Sequence, residues 1–201
     1  MPQQPRVRAE RVEVRRSRDR ILTAAETYYA VHNADPTMSE LAHLAGVGNA
    51  TLYRRYPSIP DVIRALYERT VGYQQAVADD VKAQPSGWDA VVTLVTGIAG
   101  VILEHPAIPR VTRKMIELEP TRRHGAQWDA DLESVAARAQ QEGSLRPDVD
   151  ADDLTLAAFR MGEYGYLPEA ARARIVSRQL VIVLDGLRAG SALTPLPGGG
   201  G

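Results

Sequence analysis

Apolar residues recur at spacings of three and four along almost the whole chain, and nowhere do they alternate with period two between hairpin turn signals. Such spacing lines one side of a helix, so an all-α fold of about nine helices is expected. The 201 residues give room for one domain or two small ones, and 44% hydrophobic with 24% charged residues is a globular composition. The absence of cysteine excludes disulfide scaffolds, thiolate zinc sites and cysteine nucleophiles. The most apolar run, residues 90–103, is 14 residues long against the roughly 20 a membrane span needs, so it is expected to be a buried core helix. No apolar stretch follows the charged N-terminus, so no secretory signal is expected and the protein is expected in the cytoplasm.

Punctuation divides the periodic segments. Ile21, Leu22, Ala25, Tyr28 and Tyr29 form one stripe on a first helix that stops before Asp35-Pro36. Thr37 and Glu40 stand at capping-box spacing and open a short helix, with Leu41, Leu44 and Ala45 as its expected buried face. Gly46 ends that helix, and only Val47 and Gly48 separate it from a second short one at 49–56. Ser58, Pro60 and Asp61 then start a longer helix whose inner side carries Val62, Ile63, Leu66, Thr70, Tyr73, Val77 and Val81. Further helices are expected near 88–104, 111–119, 123–142, 151–166 and 169–190, and the tail 191–201, with two prolines and four final glycines, is expected to be disordered.

The net charge of −1 conceals an uneven chain. Residues 1–20 carry seven arginines against three acids, residues 1–60 sum to +3, and residues 61–201 sum to −4. Residues 1–17 are therefore read as a basic arm. The four histidines include no pair at i, i+3 or i, i+4, and no nucleophile elbow, phosphate loop or dinucleotide fingerprint is present. No metal, cofactor or enzymatic activity is expected.

Two short helices joined by a glycine turn, next to an arginine-rich arm, have the form of a helix-turn-helix whose second helix enters the DNA major groove. Ala42 is small where the helices approach, Gly46 turns the chain four residues later, and Leu52 anchors the second helix six residues beyond. Read whole, residues 18–66 resemble the DNA-binding domain of the TetR family of bacterial repressors. The carrying pieces are Ile21-Leu22-x-Ala24-Ala25, Leu41-Ala42, Ala45-Gly46-Val47, Thr51-Leu52-Tyr53 and Tyr56-Pro57-Ser58. Residues 143–154 and Leu184-Asp185-Gly186-Leu187-Arg188 are similar, more weakly, to the family's effector domains.

The resemblance implies a helix-turn-helix DNA-binding domain at 18–66 and an effector-binding and dimerisation domain at 67–190. Its DNA-binding set would be Asn49, Ala50, Thr51, Tyr53, Arg54, Arg55 and Thr37, with Leu52 turned inward. Thr51 and Tyr53 correspond to phosphate-contacting hydroxyls, and either Arg54 or Arg55 could pair with guanine. Two departures stand out: Gly48 replaces a usual serine cap, and Ile59 replaces a frequent lysine, a loss for which the arginines of 6–20 could compensate at phosphates or the minor groove. Helices 151–166 and 169–190 would form a homodimer reading a palindromic operator, released by a small-molecule inducer. Val95, Ile98, Ile102, Trp128, Phe159 and Tyr164 could line the inducer site, with Arg113 or Glu163 as polar anchor. The rival reading is a helical small-molecule-binding or interaction protein whose helix-turn-helix no longer binds DNA.

Overall fold

The computed structural model describes residues 4–121, 126–162, 164, 167–190, 194 and 196. Among these the chain folds into α1 (Gln4–Val31), α2 (Met38–Leu44), α3 (Asn49–Arg55), α4 (Ile59–Lys82), α5 (Gly87–Glu104), α6 (Ile108–Leu118), α7 (Ala126–Gln141), α8 (Ala151–Met161) and α9 (Glu169–Leu187). The described residues hold no strand, only one isolated antiparallel bridge between Leu145 and Arg188. They group into two compact units: residues up to Thr70 with Arg110–Pro120, and Val71–Pro109 with the residues from Thr121 onward.

In the first unit, the segment expected as a separate basic arm is helical from Gln4 and is the N-terminal half of α1. The reason is local. No glycine or proline interrupts residues 6–31, arginine, alanine and glutamate favour helix, and Pro5 falls in the first turn, where its missing N–H is not needed. Ile21, Leu22, Ala25 and Tyr29 of α1 are buried with Leu41, Ala42, Ala45, Leu52, Val62, Ile63 and Leu66. Leu44, expected on this buried face, is 54% exposed. With Leu41, Ala42 and Ala45 inward, the 100° step per residue turns Leu44 to the other side of α2.

In the second unit, α5 supplies the core: Ala90, Val91, Leu94, Val95, Ile98, Ala99 and Ile102 are all buried, as expected for residues 90–103. α8 starts with a reciprocal capping box between Asp150 and Asp153 and ends at Met161, short of the expected 166. The next residue, Gly162, lies so close to Ile102 that a Cβ there would stand 2.0 Å from its Cγ2. α9 ends at Leu187 rather than 190, because Arg188 turns extended and the Ala189 N–H donates to the Ser144 carbonyl at 3.1 Å. Within the expected disordered tail, Thr194 and Leu196 are instead held: the Arg146 guanidinium donates to the Thr194 carbonyl at 2.7 Å, and the Leu196 N–H donates to Asp148 at 2.9 Å. Leu180, Val183 and Leu184 of α9 pack on the core, while Val181 and Ile182 are exposed, as is Leu156 of α8.

Candidate nucleic-acid interface and effector cavity

The α2–α3 pair is built from local signals. The Thr37 hydroxyl accepts the Glu40 N–H at 3.2 Å and the Glu40 carboxylate accepts the Thr37 N–H at 2.7 Å, which holds that carboxyl below its ordinary range. Gly46 has φ +61, and the Val47 and Gly46 N–H groups return to the carbonyls of Ala42 and His43 at 3.0 and 3.1 Å. That double closure is a Schellman motif, which satisfies the end of α2 and turns the chain sharply into α3. Gly48 caps α3 with its backbone alone. α1 braces the turn: Arg20 donates to the Gly46 carbonyl at 3.2 Å, and Ser17 is buried beside it.

On α3, Leu52 is fully buried, so the helix is anchored by one side chain and shows its other positions outward. Asn49, Ala50, Tyr53 and Arg54 are exposed, and Thr51 and Arg55 are half-buried. Four of the six therefore face solvent, and Thr51 and Arg55 are partly covered. Thr37 is also exposed, and because its oxygen accepts from Glu40 its O–H remains able to donate. Ser17, Arg20, Thr51, Arg54 and Arg55 border a cleft of about 230 Å³ at the turn. The Tyr56 hydroxyl and Arg55 Nε are buried without a hydrogen-bond partner; burial pushes the Tyr56 phenol up, and the neighbouring Arg18 charge pulls against it.

A second set of contacts in this unit fixes α6 to the link between α1 and α2. Arg110 donates to Asn33 Oδ1 at 2.8 Å and to the Tyr29 carbonyl at 2.7 Å, while Lys114 pairs with Asp35 at 2.6 Å. Asp35 also accepts the Tyr29 O–H at 2.7 Å; burial first, and that bond second, push the phenol far up. Arg64 pairs with Glu119 at 2.7 Å and Asp61 at 3.0 Å. Sequence reading missed these partners, since residues 77 and 81 positions apart leave no periodic trace.

The second unit holds a cavity of about 200 Å³ walled by α4, α5 and α7. Val81, Leu94, Trp128, Leu132 and Val135 give it an apolar wall, and Lys82, Asp131, Ser134 and Arg138 its polar groups. Lys82 pairs with Asp131 at 2.7 Å, and Arg138 donates to the Gln84 carbonyl at 3.1 Å and to Glu142 at 3.3 Å. Of the residues expected to line an inducer site, Trp128 alone is here. Val95, Ile98 and Ile102 are core, Phe159 packs against that core, and Tyr164 is half-buried. Arg113 is exposed on α6 and groups with the first unit, and Glu163 lies outside the described residues. Val95, Ile98, Ile102, Trp128 and Phe159 belong to or pack against one hydrophobic cluster, of which only Trp128 borders this cavity. The Lys82–Asp131 and Arg138 groups were missed because a charged residue at one helix position reads as solvated surface.

No family model matches the chain, and no curated protein matches it in sequence. Solved structures do match. The ketosteroid transcriptional regulator KstR2 of Mycobacterium tuberculosis superposes with a TM-score of 0.68 at 18% identity, over 86% of this chain and 95% of that one. A TetR family transcription regulator from Marinobacter aquaeolei gives 0.63 at 16% identity, over 90% and 100%. A TetR transcriptional regulator from Streptomyces coelicolor gives 0.58 at 23% identity, over 87% and 99%. At such identities the likeness is one of architecture, and it extends over both compact units: the chain has the TetR-family fold.

Proposed function

We propose that this protein is a ligand-responsive, DNA-binding transcriptional regulator that acts as a homodimeric repressor on a palindromic operator. The observation that carries the reading is α3: a single buried leucine fixes a helix that presents Asn49, Ala50, Tyr53 and Arg54 to solvent, with Thr51 and Arg55 partly covered beside them, behind a left-handed glycine turn. Thr51, Tyr53 and Thr37 supply hydroxyls for phosphates, which set register. Arg54 or Arg55 supplies a fork for guanine O6 and N7, worth about 1–3 kcal/mol of discrimination. Exposed Leu156, Val181 and Ile182 on α8 and α9 support pairing of two copies through those helices. A two-fold dimer reads half-sites about 34–36 Å apart, one turn of the duplex.

The cavity by Trp128 and Lys82 is the proposed effector site. Its 200 Å³ is below the roughly 300–1,000 Å³ usual for drug-sized ligands, which favours a small effector. Binding there releases DNA if the effector prefers a state whose recognition helices no longer match two successive major grooves.

The test is titration of duplex DNA from the region upstream of the protein's own gene. Sequence-selective, salt-dependent binding is expected, and alanine at Tyr53, Arg54 and Arg55 together abolishes the selectivity without changing the melting temperature. Binding that is absent, or that is indifferent to those three substitutions, overturns the reading. For the effector, a small-molecule screen by thermal shift should find a compound whose stabilisation grows as RT ln(1 + [L]/Kd) and which also weakens DNA binding.

A further inference from the structure

The side of α8 and α9 turned away from the core carries charge in an order that one chain alone does not use. On α8, Asp152, Leu156 and Arg160 are all exposed, and at about 100° per residue they fall within an arc of about 80°. On α9, Arg174, Arg178, Val181, Ile182 and Asp185 are all exposed within about 100° of arc, opposite Val176, Leu180, Val183 and Leu187, which face the core. Both helices pack on α5, so the two outer stripes lie side by side in one surface.

Each stripe has an apolar centre and opposite charges at its ends. Asp152 and Arg160 flank Leu156 at equal spacing, and Arg178 and Asp185 flank the Val181-Ile182 pair at equal spacing. The order of charge is reversed between the helices, and so is their direction. The Leu187 carbonyl at the end of α9 accepts the Arg146 N–H at 3.0 Å, and a turn closed by the Val149 N–H on the Arg146 carbonyl leads into α8. Counted along each helix from that joined end, Asp152 and Asp185 lie within roughly 5 Å, Leu156 and Val181-Ile182 at roughly 8 Å, and Arg160 and Arg178 at roughly 14 Å. The surface therefore has an acidic end, an apolar middle and a basic end, to which Arg174 adds from one turn farther along α9.

The other charges nearby keep to this order or stand off the surface. Asp150 and Asp153 lie at the acidic end, held in the α8 capping box at 2.9 and 3.1 Å. Glu169 and Arg172 begin α9 outside the stripe, on the side of Val176 and Leu187, and Arg188 follows α9 and stacks over the Trp88 ring at 4.2 Å. Among the described residues, Asp152, Arg160, Arg174, Arg178 and Asp185 form no ion pair within the chain.

Such a surface fits a copy of itself in one orientation. A two-fold axis lying in the surface and running across the helices sets each helix antiparallel to its mate, with acidic end on basic end. An axis running along the helices would instead bring acid onto acid and gather the arginines of both copies at one place, where like charges repel. Leu156, Val181 and Ile182 supply the apolar centre in either case, so the charged ends choose between the two.

We infer that α8 and α9 pair with a second copy of this chain in the antiparallel register, Arg178 against the partner's Asp185, Val181 against the partner's Ile182 and Asp152 against the partner's Arg160, and that this order of charge selects the chain's own copy as partner. The inference rests on the proposed homodimer and deepens it: the apolar centre gives the affinity, and the charged ends give the register and the choice of partner.

The experiment is sedimentation equilibrium of full-length chains at low salt: the unmodified protein, Arg178→Asp, Asp185→Arg, the double variant, and an equimolar mixture of the two single variants. By symmetry each single reversal places two like-charge contacts in the dimer, and each should weaken self-association about tenfold or more. The double variant restores opposite charges at both contacts and should recover most of the loss. The mixture should recover it too, because each single variant then meets its complement in the other. Recovery on mixing also separates the register from misfolding, since a chain that merely unfolds is not restored by a second damaged chain. Single variants that associate as tightly as the unmodified dimer, or a double variant or mixture no tighter than the singles, overturn the register and leave the proposed function standing. An unmodified chain that stays monomeric at the highest soluble concentration removes the homodimer from the proposed function, and the register with it.

Discussion

The two compact units are held together by different physics. Around α2 and α3, helices of 7 residues each are too short to be stable alone, and they are defined by a capping box, a left-handed glycine and single anchoring side chains. Around α5, one long apolar helix buries residues at every turn against α7, α8 and α9. The first kind of region depends on a few particular atoms, and the second on many interchangeable contacts.

The largest effect that separates them comes from truncating one buried residue in each. Leu52 and Ile98 are both buried almost completely, so alanine at either should cost about 2–5 kcal/mol of global stability. The local consequences differ. Leu52→Ala removes the only buried side chain of α3, so amide exchange across residues 49–55 should rise towards that of an open segment and DNA binding should be lost. Ile98→Ala leaves the other buried residues of α5 in place, and its amides should stay protected up to the reduced global stability. If α3 in Leu52→Ala exchanges no faster than α5 in Ile98→Ala, the contrast between the units is wrong.

Two glycines sharpen the same contrast. Gly46 is needed for its conformation: φ is +61 and nothing lies within 4 Å of where a Cβ would be. Gly87 is needed for its size: a Cβ there would stand 2.6 Å from the backbone N and Cα of Ala139. Gly46→Ala and Gly87→Ala should both destabilise, by about 1–3 kcal/mol each. Asparagine tells them apart, since it tolerates the left-handed region: Gly46→Asn should recover much of the loss, and Gly87→Asn should be worse than Gly87→Ala. Urea unfolding of the four variants measures this directly.

Those glycines also show what a sequence discloses. Gly46 was legible because its cause is local, the stop of a short helix two residues before the next. Gly87 was not, because its cause is the distant Ala139 on α7. The same division runs through the candidate sites. The residue set on α3 comes from the family resemblance, spacing giving only the inward anchor Leu52, and the capping box follows from Thr37 and Glu40. The Arg110 and Lys114 clamps and the cavity partners Lys82 and Asp131 depend on how helices pack, which periodicity does not encode. Leu44 failed for a related reason: on a helix of two turns, a stripe of three apolar residues leaves the direction of the outer one undecided until the neighbour is placed.

A polar tie within the second unit gives the next effect. Asp148 is held well below the usual carboxylate range, first by the Arg146 guanidinium, which it meets at 2.6 and 2.8 Å, and then by the Leu196 N–H. A carboxyl whose folded pKa is depressed contributes stability that is complete above its unfolded value of about 3.9 and is lost as pH falls towards the folded value. The melting-temperature gap between the native protein and Asp148→Asn should therefore be widest near neutral pH and close below about pH 4. A gap that is constant with pH would assign the effect to packing of the Thr194–Leu196 segment instead.

The smallest effect lies in the difference between the two short helices themselves. α2 begins with a side-chain cap and α3 does not, since Gly48 has no side chain to accept an N–H. Its backbone, φ −69 and ψ 147, already has the extended form of an N-cap residue, and a Cβ placed there meets nothing within 4 Å. A serine therefore fits without strain, and its oxygen faces the orphan N–H groups of the first turn. Replacing glycine by serine at such a cap gains a few tenths of a kcal/mol. Global unfolding barely registers that, but α3 is held by one leucine, so the gain should appear in its own exchange: the Ala50 amide slows in Gly48→Ser while amides in α5 do not change. Equal slowing in both helices would mean that α3 opens only when the whole chain unfolds, and the recognition helix would then be as firmly set as the core it is contrasted with.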